Sequence, residues 1–271
     1  MPRRTTFWTA LAVGVAAGAL VVLERRRPLR RRREAGLARL ARNVSIGVTA
    51  ALTTAAADLV VVGPAQRLAE RHRLGLLRAV RLPRVVRFVL GFLLLDYTLF
   101  LWHWLNHRSA SLWRFHAVHH IDRDLDATTG IRFHFGELAL AAGLRAAQIL
   151  IIGADRATLR AWQRLLFVSV LFHHSNLDLP EPLERALVTV LATPRMHGIH
   201  HSERDAELHT NFASLLSWWD HLHGTFRFDV PQQAITTGVA GFDDTADVSL
   251  ERSLALPFSD DPRLASSLLK A

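Results

Sequence analysis

The sequence predicts an all-α integral membrane helical bundle. Half of the 271 residues are hydrophobic, and the mean hydropathy is +0.15. Several apolar stretches approach the length of a membrane helix. The alternation of apolar and polar residues that marks a strand is not found at any length before residue 225.

The first apolar stretch, residues 7–23, carries no charge. A helix of this length rises about 26 Å, close to the thickness of the bilayer core. The basic run RRRPLRRRR at 25–33 follows directly, which favours an uncleaved anchor with a cytoplasmic flank. The alternative is a signal peptide cleaved near residues 17–19, Ala-Gly-Ala. We expect residues 1–38 to form the anchor and its basic flank.

The formal charge of +9 does not indicate a nucleic-acid partner. The basic run adjoins hydrophobic segments, so membrane topology and anionic lipid explain it better. The absence of cysteine excludes disulfides and thiolate metal sites.

Further apolar stretches predict a membrane-embedded domain over residues 39–228. The chain after 226 is rich in Gly, Asp and Thr, which predicts a surface tail over 229–271. The apolar stretches are 44–63 with Asp58, 85–105 with Asp96, 136–152 with Arg145 and Gln148, the shorter 162–172, and a short helix at 183–192.

Histidines are concentrated in one part of the chain, with fourteen of the fifteen between positions 103 and 223. Residues three and four apart share one face of a helix, so each cluster directs several imidazoles to one place. Neutral imidazole binds iron, zinc, copper or nickel. Eight such ligands exceed the demand of one ion and predict a dimetal site. The clusters are His103 and His107; His116, His119 and His120; and His197, His200 and His201.

The third cluster follows two residues that are typical of a helix N-terminus. Thr193 suits the N-cap position, and Pro194 suits the first helical position. A helix beginning there places His197 in its first turn and His200 and His201 in the next.

The order of these motifs resembles the fatty acid hydroxylase / sterol desaturase superfamily, and its bacterial membrane branch in particular. The pattern is HxxxH, HxxHH, His-Ser-Asn and HxxHH, and the likeness covers roughly residues 85–260. The matching segments are LWRFHAVHHIDRDLDATTGIRFHFGE, HHSNLDLP, TPRMHGIHHS and NFASLLSWWDHLHGTF.

The resemblance implies a membrane enzyme with two iron ions that uses O₂ and two electrons to hydroxylate or desaturate a lipid. An unactivated C–H bond has no polar handle, so a redox metal is needed, although zinc can occupy such sites in isolated protein. A separate protein would donate the electrons. The implied ligands are His103, His107, His116, His119, His120, His174, His197, His200 and His201, with His134 near or on the metal.

Polar neighbours are candidates for orienting these ligands, because a metal-bound imidazole usually donates its other N–H to a carboxylate or carbonyl. Asp96 lies two turns before His103 on the same helix face. Of the adjacent pair at 173 and 174, the family pattern favours His174 as the ligand. The other candidates are Glu137, Asp220, Asn176 and Asn211.

Two other functions fit parts of the pattern: a b-type cytochrome, and a metal-binding or transport protein without catalysis. The family implies a bacterial inner-membrane protein whose histidines face the cytoplasm, where reductants are. One conflict concerns the first three apolar stretches, 7–23, 44–63 and 85–105. If all three cross the membrane, the arginine-rich loop 64–84 lies outside the cell membrane, against the positive-inside rule. The substrate stays open among sterol, hopanoid, carotenoid, fatty acid and ether lipid.

Overall fold

The computed structural model describes residues 2–34, 36–266 and 268, with side chains from residue 14 onward except at 266. Every regular element in this part of the chain is helical, which confirms the all-α prediction. Extended pairing among the described residues is limited to isolated bridges. The α-helices are α1 (Pro2–Arg26), α2 (Leu37–Ala57), α3 (Gly63–Arg71), α4 (Leu76–Ala79), α5 (Arg84–Asn106), α6 (Ala110–His120), α7 (Phe135–Ile152), α8 (Arg156–His174), α9 (Glu181–Leu187), α10 (Pro194–His200), α11 (Asp205–Leu208), α12 (Trp218–His223), α13 (Leu250–Ala255) and α14 (Pro262–Ser266).

The long helices run alternately up and down. A π-helical turn at Asp58–Val62 joins α2 to α3, so this rod continues beyond the predicted stretch 44–63. Helices α5 and α8 end at histidines, and α7 begins beside one, so these three ends define the histidine end of the molecule. The end of α3 meets the start of α8 at the far end, where Arg156 pairs with Glu70 at 2.7 Å.

Three segments are long and apolar enough to cross a membrane, judged by length and composition. No more than 28% of the residues in each apolar window are buried, so most of these side chains are at least partly exposed. Part of the predicted anchor at 7–23 has no described side chains, and that prediction stays open. The three segments are Leu37–Ala79, Arg84–Asn106 and Phe135–Ile152.

At the far end, two glycines let two turns meet. A Cβ on Gly75 would lie 2.3 Å from the Cα of Gly153. Their φ angles are +105° and +75°, which glycine adopts without steric cost. The Arg78 side chain donates to the Gly153 carbonyl at 3.1 Å, which ties this junction together.

The segment 229–271, expected to be a surface tail, contributes to the core. Several of its apolar side chains are buried and pack around Trp113, which is itself fully buried on α6. The composition is loop-like because the segment is largely irregular, but its spaced apolar residues cover α6. The division at 38 and 228 stays a prediction. The buried side chains are Val239, Phe242, Val248, Leu256 and Leu264.

The short helix expected at 183–192 is shorter than predicted. Helix α9 ends at Leu187, and Leu191 then forms a bridge with Leu216. This pairing brings the chain before α10 against the loop that precedes α12.

The basic run 25–33 lies at the histidine end. The Leu29 N–H donates to the Asn176 carbonyl at 2.8 Å. Arg30 is buried and donates to the Pro194 carbonyl at 3.3 Å, at the start of α10. The N-terminal segment is therefore part of the packing around the histidine clusters.

Candidate metal centre

Nine histidines form two adjacent groups at the histidine end, and all nine are buried. Within each group, one nitrogen of each ring lies within 4.8 Å of the corresponding nitrogens of the others. The rings of His120 and His201, one from each group, stack with centroids 4.3 Å apart. The first group is His103, His107, His116, His120 and His200; the second is His119, His174, His197 and His201.

Helix ends bring these residues together. Helices α5, α6, α8 and α10 each have histidines in the last turn or at the C-cap. The carbonyl groups at a helix C-terminus carry partial negative charge and favour a nearby cation. Four such termini therefore converge on the two groups and make this end of the bundle favourable for positive ions.

Four of the imidazoles form a hydrogen bond through Nδ1, three of them with a backbone carbonyl and one with a carboxylate. Carbonyl oxygens can only accept, so Nδ1 carries the hydrogen in three of these bonds. In the fourth, Nδ1 of His116 donates to the Glu137 carboxylate at 2.9 Å. The other three bonds are His103 to the Phe212 carbonyl at 2.6 Å, His174 to the Val170 carbonyl at 2.7 Å, and His200 to the Thr210 carbonyl at 2.7 Å.

This arrangement makes Nε2 of the neutral ring a lone-pair donor. The Nε2 atoms of His103 and His200 are 3.0 Å apart, and each ring already donates through Nδ1. Neither nitrogen then has a hydrogen to share, so two lone pairs face each other. A cation bound by both nitrogens removes this repulsion, which is the arrangement of a metal site.

His107 supports the same conclusion. Its ring is fully buried, and neither nitrogen has a hydrogen-bond partner among the described residues. Burial, reinforced by neighbouring histidines, holds the pKa of His107 well below its usual range. A neutral buried imidazole with no partner is costly, whereas a metal ion would satisfy it.

The residues therefore fit a pair of metal ions with imidazole ligands. Burial lowers the pKa of His120 and His201 as well, which keeps the rings neutral and able to bind a cation. The donor set suits iron, zinc, copper or nickel.

His134, predicted to lie near or on the metal, is not brought to either group. Its Nδ1 accepts from the Gly136 N–H at 2.9 Å and caps α7. Its Nε2 then donates to the Leu254 carbonyl at 3.2 Å. Both nitrogens are used, so this ring holds the start of α7 and the C-terminal segment together.

The adjacent pair on α8 divides as the family pattern suggests. His174 lies in the second group, with Nε2 2.9 Å from Nε2 of His119 and 3.0 Å from that of His197. His173 lies outside both groups, although its ring packs 4.2 Å from that of His197. Metal binding by His174 stays a prediction.

Asp96 does not contact a histidine, in contrast to the expectation from its position on α5. Its carboxylate accepts from the indole N–H of Trp162 at 3.2 Å and of Trp219 at 2.8 Å. It also accepts from the Leu216 N–H at 3.2 Å. Asp96 therefore joins α5 to α8, to α12 and to the loop before α12.

Asp220 supports two ligands indirectly. It accepts from the N–H groups of Phe212 and Ala213, each at 2.8 Å. These bonds fix the loop 210–213, whose carbonyls orient His103 and His200. Asn211 has a φ of +56° and secures the same loop through the carbonyls of Met196 and Arg227, both at 2.8 Å.

Asn176 has a different role from the one expected. Its amide exchanges two hydrogen bonds with the Arg30 backbone, both at 2.9 Å. Its own N–H donates to the buried Glu24 carboxylate at 2.9 Å. The residue thus attaches the N-terminal segment to the end of α8.

A buried ionic network behind α6 was not predicted. Arg39 on α2 pairs with Asp122 at 2.8 Å and with Asp126 at 2.5 Å, in the loop after the second histidine cluster. Arg132 donates to the Val118 carbonyl at 2.9 Å and to Asn43 at 2.9 Å. The acidic spacing DRDLD is the only signal of this network in the sequence.

A cavity of about 200 Å³ opens onto the histidines between α5, α7 and α8. Each helix supplies a stripe of residues at helical spacing, mostly apolar away from the histidines. The stripes include Leu99 and Trp102 on α5, Leu138, Ala141 and Leu144 on α7, and Leu166 and Val170 on α8.

Three curated proteins are similar in sequence to about half of this chain. Ornithine lipid hydroxylase OlsE of Rhizobium tropici is 33% identical over 161 residues, 59% of this chain and 47% of that protein. Cholesterol 25-hydroxylase-like protein 1, member 2 of Danio rerio is 30% identical over 149 residues, 52% of this chain and 51% of that protein. Alkylglycerol monooxygenase of Xenopus tropicalis is 26% identical over 137 residues, 51% of this chain and 30% of that protein.

The chain thus spans about half, or less, of the length of these curated relatives. No solved structure matches significantly. The sequence model described as "Fatty acid hydroxylase" matches residues 88–225, half of the chain and the part that carries both histidine groups. The protein belongs to the fatty acid hydroxylase family.

Proposed function

We propose that this protein is a membrane-bound oxidoreductase that uses two iron ions and O₂ to hydroxylate or desaturate a C–H bond of a lipid. The observation that carries the proposal is the pair of facing Nε2 atoms of His103 and His200 beside an apolar cavity. The relatives are named as hydroxylases and a monooxygenase of lipids, which supports the same class of reaction.

The imidazole ligands and the apolar cavity would have different roles in the reaction. Iron bound by the imidazoles would supply the redox chemistry that an unactivated C–H bond requires and that zinc lacks. The apolar stripes of α5, α7 and α8 hold a hydrocarbon chain and exclude water from the site. Glu137 and the carbonyls of Thr210 and Phe212 keep the imidazoles in one orientation.

We also propose that the histidine end faces the cytoplasm of a bacterial inner membrane. Reductant is supplied there, and the oxidation needs electrons from a separate protein. The arginine run 25–33 lies at this same end, as expected for a cytoplasmic flank.

Metal analysis and lipid analysis test the proposal together. Protein produced in iron-rich medium is expected to hold about two metal ions per chain, the number that suits a paired site. Cells that produce it should incorporate isotopically labelled oxygen from O₂ into a lipid, or form a new double bond. Neither product should appear with His200→Ala or His120→Ala.

Retained lipid oxidation in both variants would refute the dimetal site. A haem absorption band in the purified protein would support the cytochrome alternative instead. Metal binding without any change in the lipids of producing cells would support a non-catalytic metal protein.

A further inference from the structure

Arg145 lies in an unusual place for a charged side chain. It is on α7, in a segment apolar enough to cross a membrane, and it lines the cavity that opens onto the histidines. Among the residues that line this cavity it is the only lysine or arginine. A cation inside a membrane segment is costly and usually marks a functional site.

Within the described part of the protein Arg145 has no carboxylate in direct contact, and Asp58 attracts its charge only from beyond ion-pair distance. No carboxylate there lies within ion-pair distance of it, since none of the ion pairs includes this residue. Its Nη1 donates to the Gln148 side chain at 2.5 Å, and its guanidinium lies 4.3 Å from the ring centre of Trp162. A guanidinium has five N–H donors, so most of them stay available to a ligand in the cavity.

The contacts around Arg145 hold it in position. Gln148 itself donates to the Thr98 hydroxyl at 2.5 Å and to the Leu95 carbonyl at 3.2 Å, both on α5. Trp162 is fully buried and anchored by Asp96. The guanidinium is thus fixed from α5 and α8 before any ligand arrives, which lowers the entropy cost of binding.

We propose that Arg145 binds an anionic oxygen of the lipid substrate. This inference rests on the proposed function, because it assigns the substrate of the same cavity. The substrate class is then a lipid that carries a carboxylate or a phosphate on the part that enters the cavity. A partly buried cation with no carboxylate in direct contact is best compensated by such a ligand.

The position of Arg145 also separates the anion from the reacting carbon. Glu137, which contacts His116, precedes Arg145 by eight residues on α7. Eight helical residues span about 12 Å along the axis. The oxidised C–H bond should therefore lie well along the hydrocarbon part of the substrate and away from the anionic group.

Competition for a neutral probe, the methyl ester of a photoreactive fatty acid, tests this without turnover. The metal-loaded protein in neutral detergent is labelled in the presence of hexadecanoic acid, its methyl ester or hexadecyl phosphate. We expect an anionic competitor to displace the probe at least about 10-fold better than the ester, a difference of about 1.4 kcal/mol. The better of the two anions identifies the source of the charge.

Variants at the same position decide the assignment. Arg145→Met should abolish the preference for the anion and leave competition by the ester unchanged. Arg145→Lys keeps the charge but loses the planar fork, so part of the preference should remain. Arg164→Met is the matched control, because Arg164 is an exposed arginine of α8 that does not line the cavity.

Equal competition by acid, phosphate and ester in the unaltered protein would overturn the inference. So would an undiminished preference in Arg145→Met, provided that its metal content is normal. If Arg145→Met does not fold, a full preference in Arg145→Gln would overturn it equally. A preference for the anion without any lipid oxidation would support this inference and refute the proposed function. Lipid oxidation without a preference for the anion would support the proposed function and refute this inference.

Discussion

At the scale of single residues, the candidate site depends on which nitrogen of each imidazole is already occupied. Nδ1 of His103 and of His200 donates to a backbone carbonyl, so Nε2 of each ring is left to bind a cation. His134 shows the opposite case, because both of its nitrogens serve the polypeptide. Hydrogen bonding therefore separates a ligand from a structural histidine more clearly than proximity in sequence.

This distinction gives a prediction for His107 and His134. His107→Ala removes one of the five imidazoles of the first group, so the metal content should fall from about two ions per chain towards one. His134→Ala removes a helix cap, so metal content should be kept while the free energy of unfolding falls by about 1 kcal/mol. Elemental analysis and thermal unfolding in detergent measure the two effects. Loss of metal from His134→Ala alone would contradict the assignment.

Local spacing in the sequence predicted eight of these histidines as clustered ligands, and the family resemblance added His174. His116, His119 and His120 share a helix face through local spacing, which needs no knowledge of the rest of the fold. The position of His134 depends on Leu254, more than a hundred residues away. Such a tertiary contact leaves no pattern in the local sequence, so a motif alone could not separate this ring from the ligands.

At the scale of elements, the loop 210–213 contributes as much to the site as a helix does. Its carbonyls orient His103 and His200, and its N–H groups are held by Asp220. The Thr225 hydroxyl also donates to this carboxylate at 2.6 Å. Burial raises the pKa of Asp220 to about 6 in spite of these hydrogen bonds.

We predict that Asp220→Ala weakens metal binding although Asp220 contacts no candidate ligand side chain. The substitution leaves the N–H groups of Phe212 and Ala213 without partners, at about 1–3 kcal/mol each. Loss of ligand orientation should lower metal affinity by about 10- to 100-fold. Competition with a chelator measures this.

Asp229→Ala is the matched control, because Asp229 is exposed and its ion pair is with the Arg227 side chain, outside the loop 210–213. Equal metal affinity in Asp220→Ala and the control would show that the loop does not orient the ligands.

The sequence predicted local features of the helices but missed the contacts between distant elements. The start of α10 at Pro194 with Thr193 as N-cap was predicted, although no side-chain cap hydrogen bond forms there. The ionic contacts of Arg39 with Asp122 and Asp126 were missed, because they join residues more than eighty positions apart. Composition likewise could not show that apolar residues after 229 cover α6.

At the scale of the whole molecule, the alternating directions of the long helices place all candidate ligands at one end. Helices α5 and α8 arrive there, while α2 and α7 leave from it. The first helix is joined to the same end, since Glu24 accepts from the N–H groups of Ala127 at 3.1 Å and of Asn176 at 2.9 Å. The cavity extends from this end along α7 towards the middle of the apolar segment.

Charge alone does not orient the molecule in a membrane. Exposed arginines occur at the histidine end, in the run 25–33, and also at the far end, in the segment 64–84 and at the start of α8. The positive-inside rule therefore acts on both ends. The proposed cytoplasmic position of the histidine end therefore rests on the need for a reductant.

The orientation is testable because the chain has no cysteine, so that single cysteines can be introduced without background. Asp205 is exposed on α11, close in sequence to His200 and His201, and Ala157 is exposed at the start of α8 at the far end. A membrane-impermeant maleimide added to intact spheroplasts should label Ala157→Cys and not Asp205→Cys. Both should react after lysis, which controls for burial of the thiol. Labelling of Asp205→Cys before lysis would place the histidines outside the cytoplasm and remove the redox argument for this orientation.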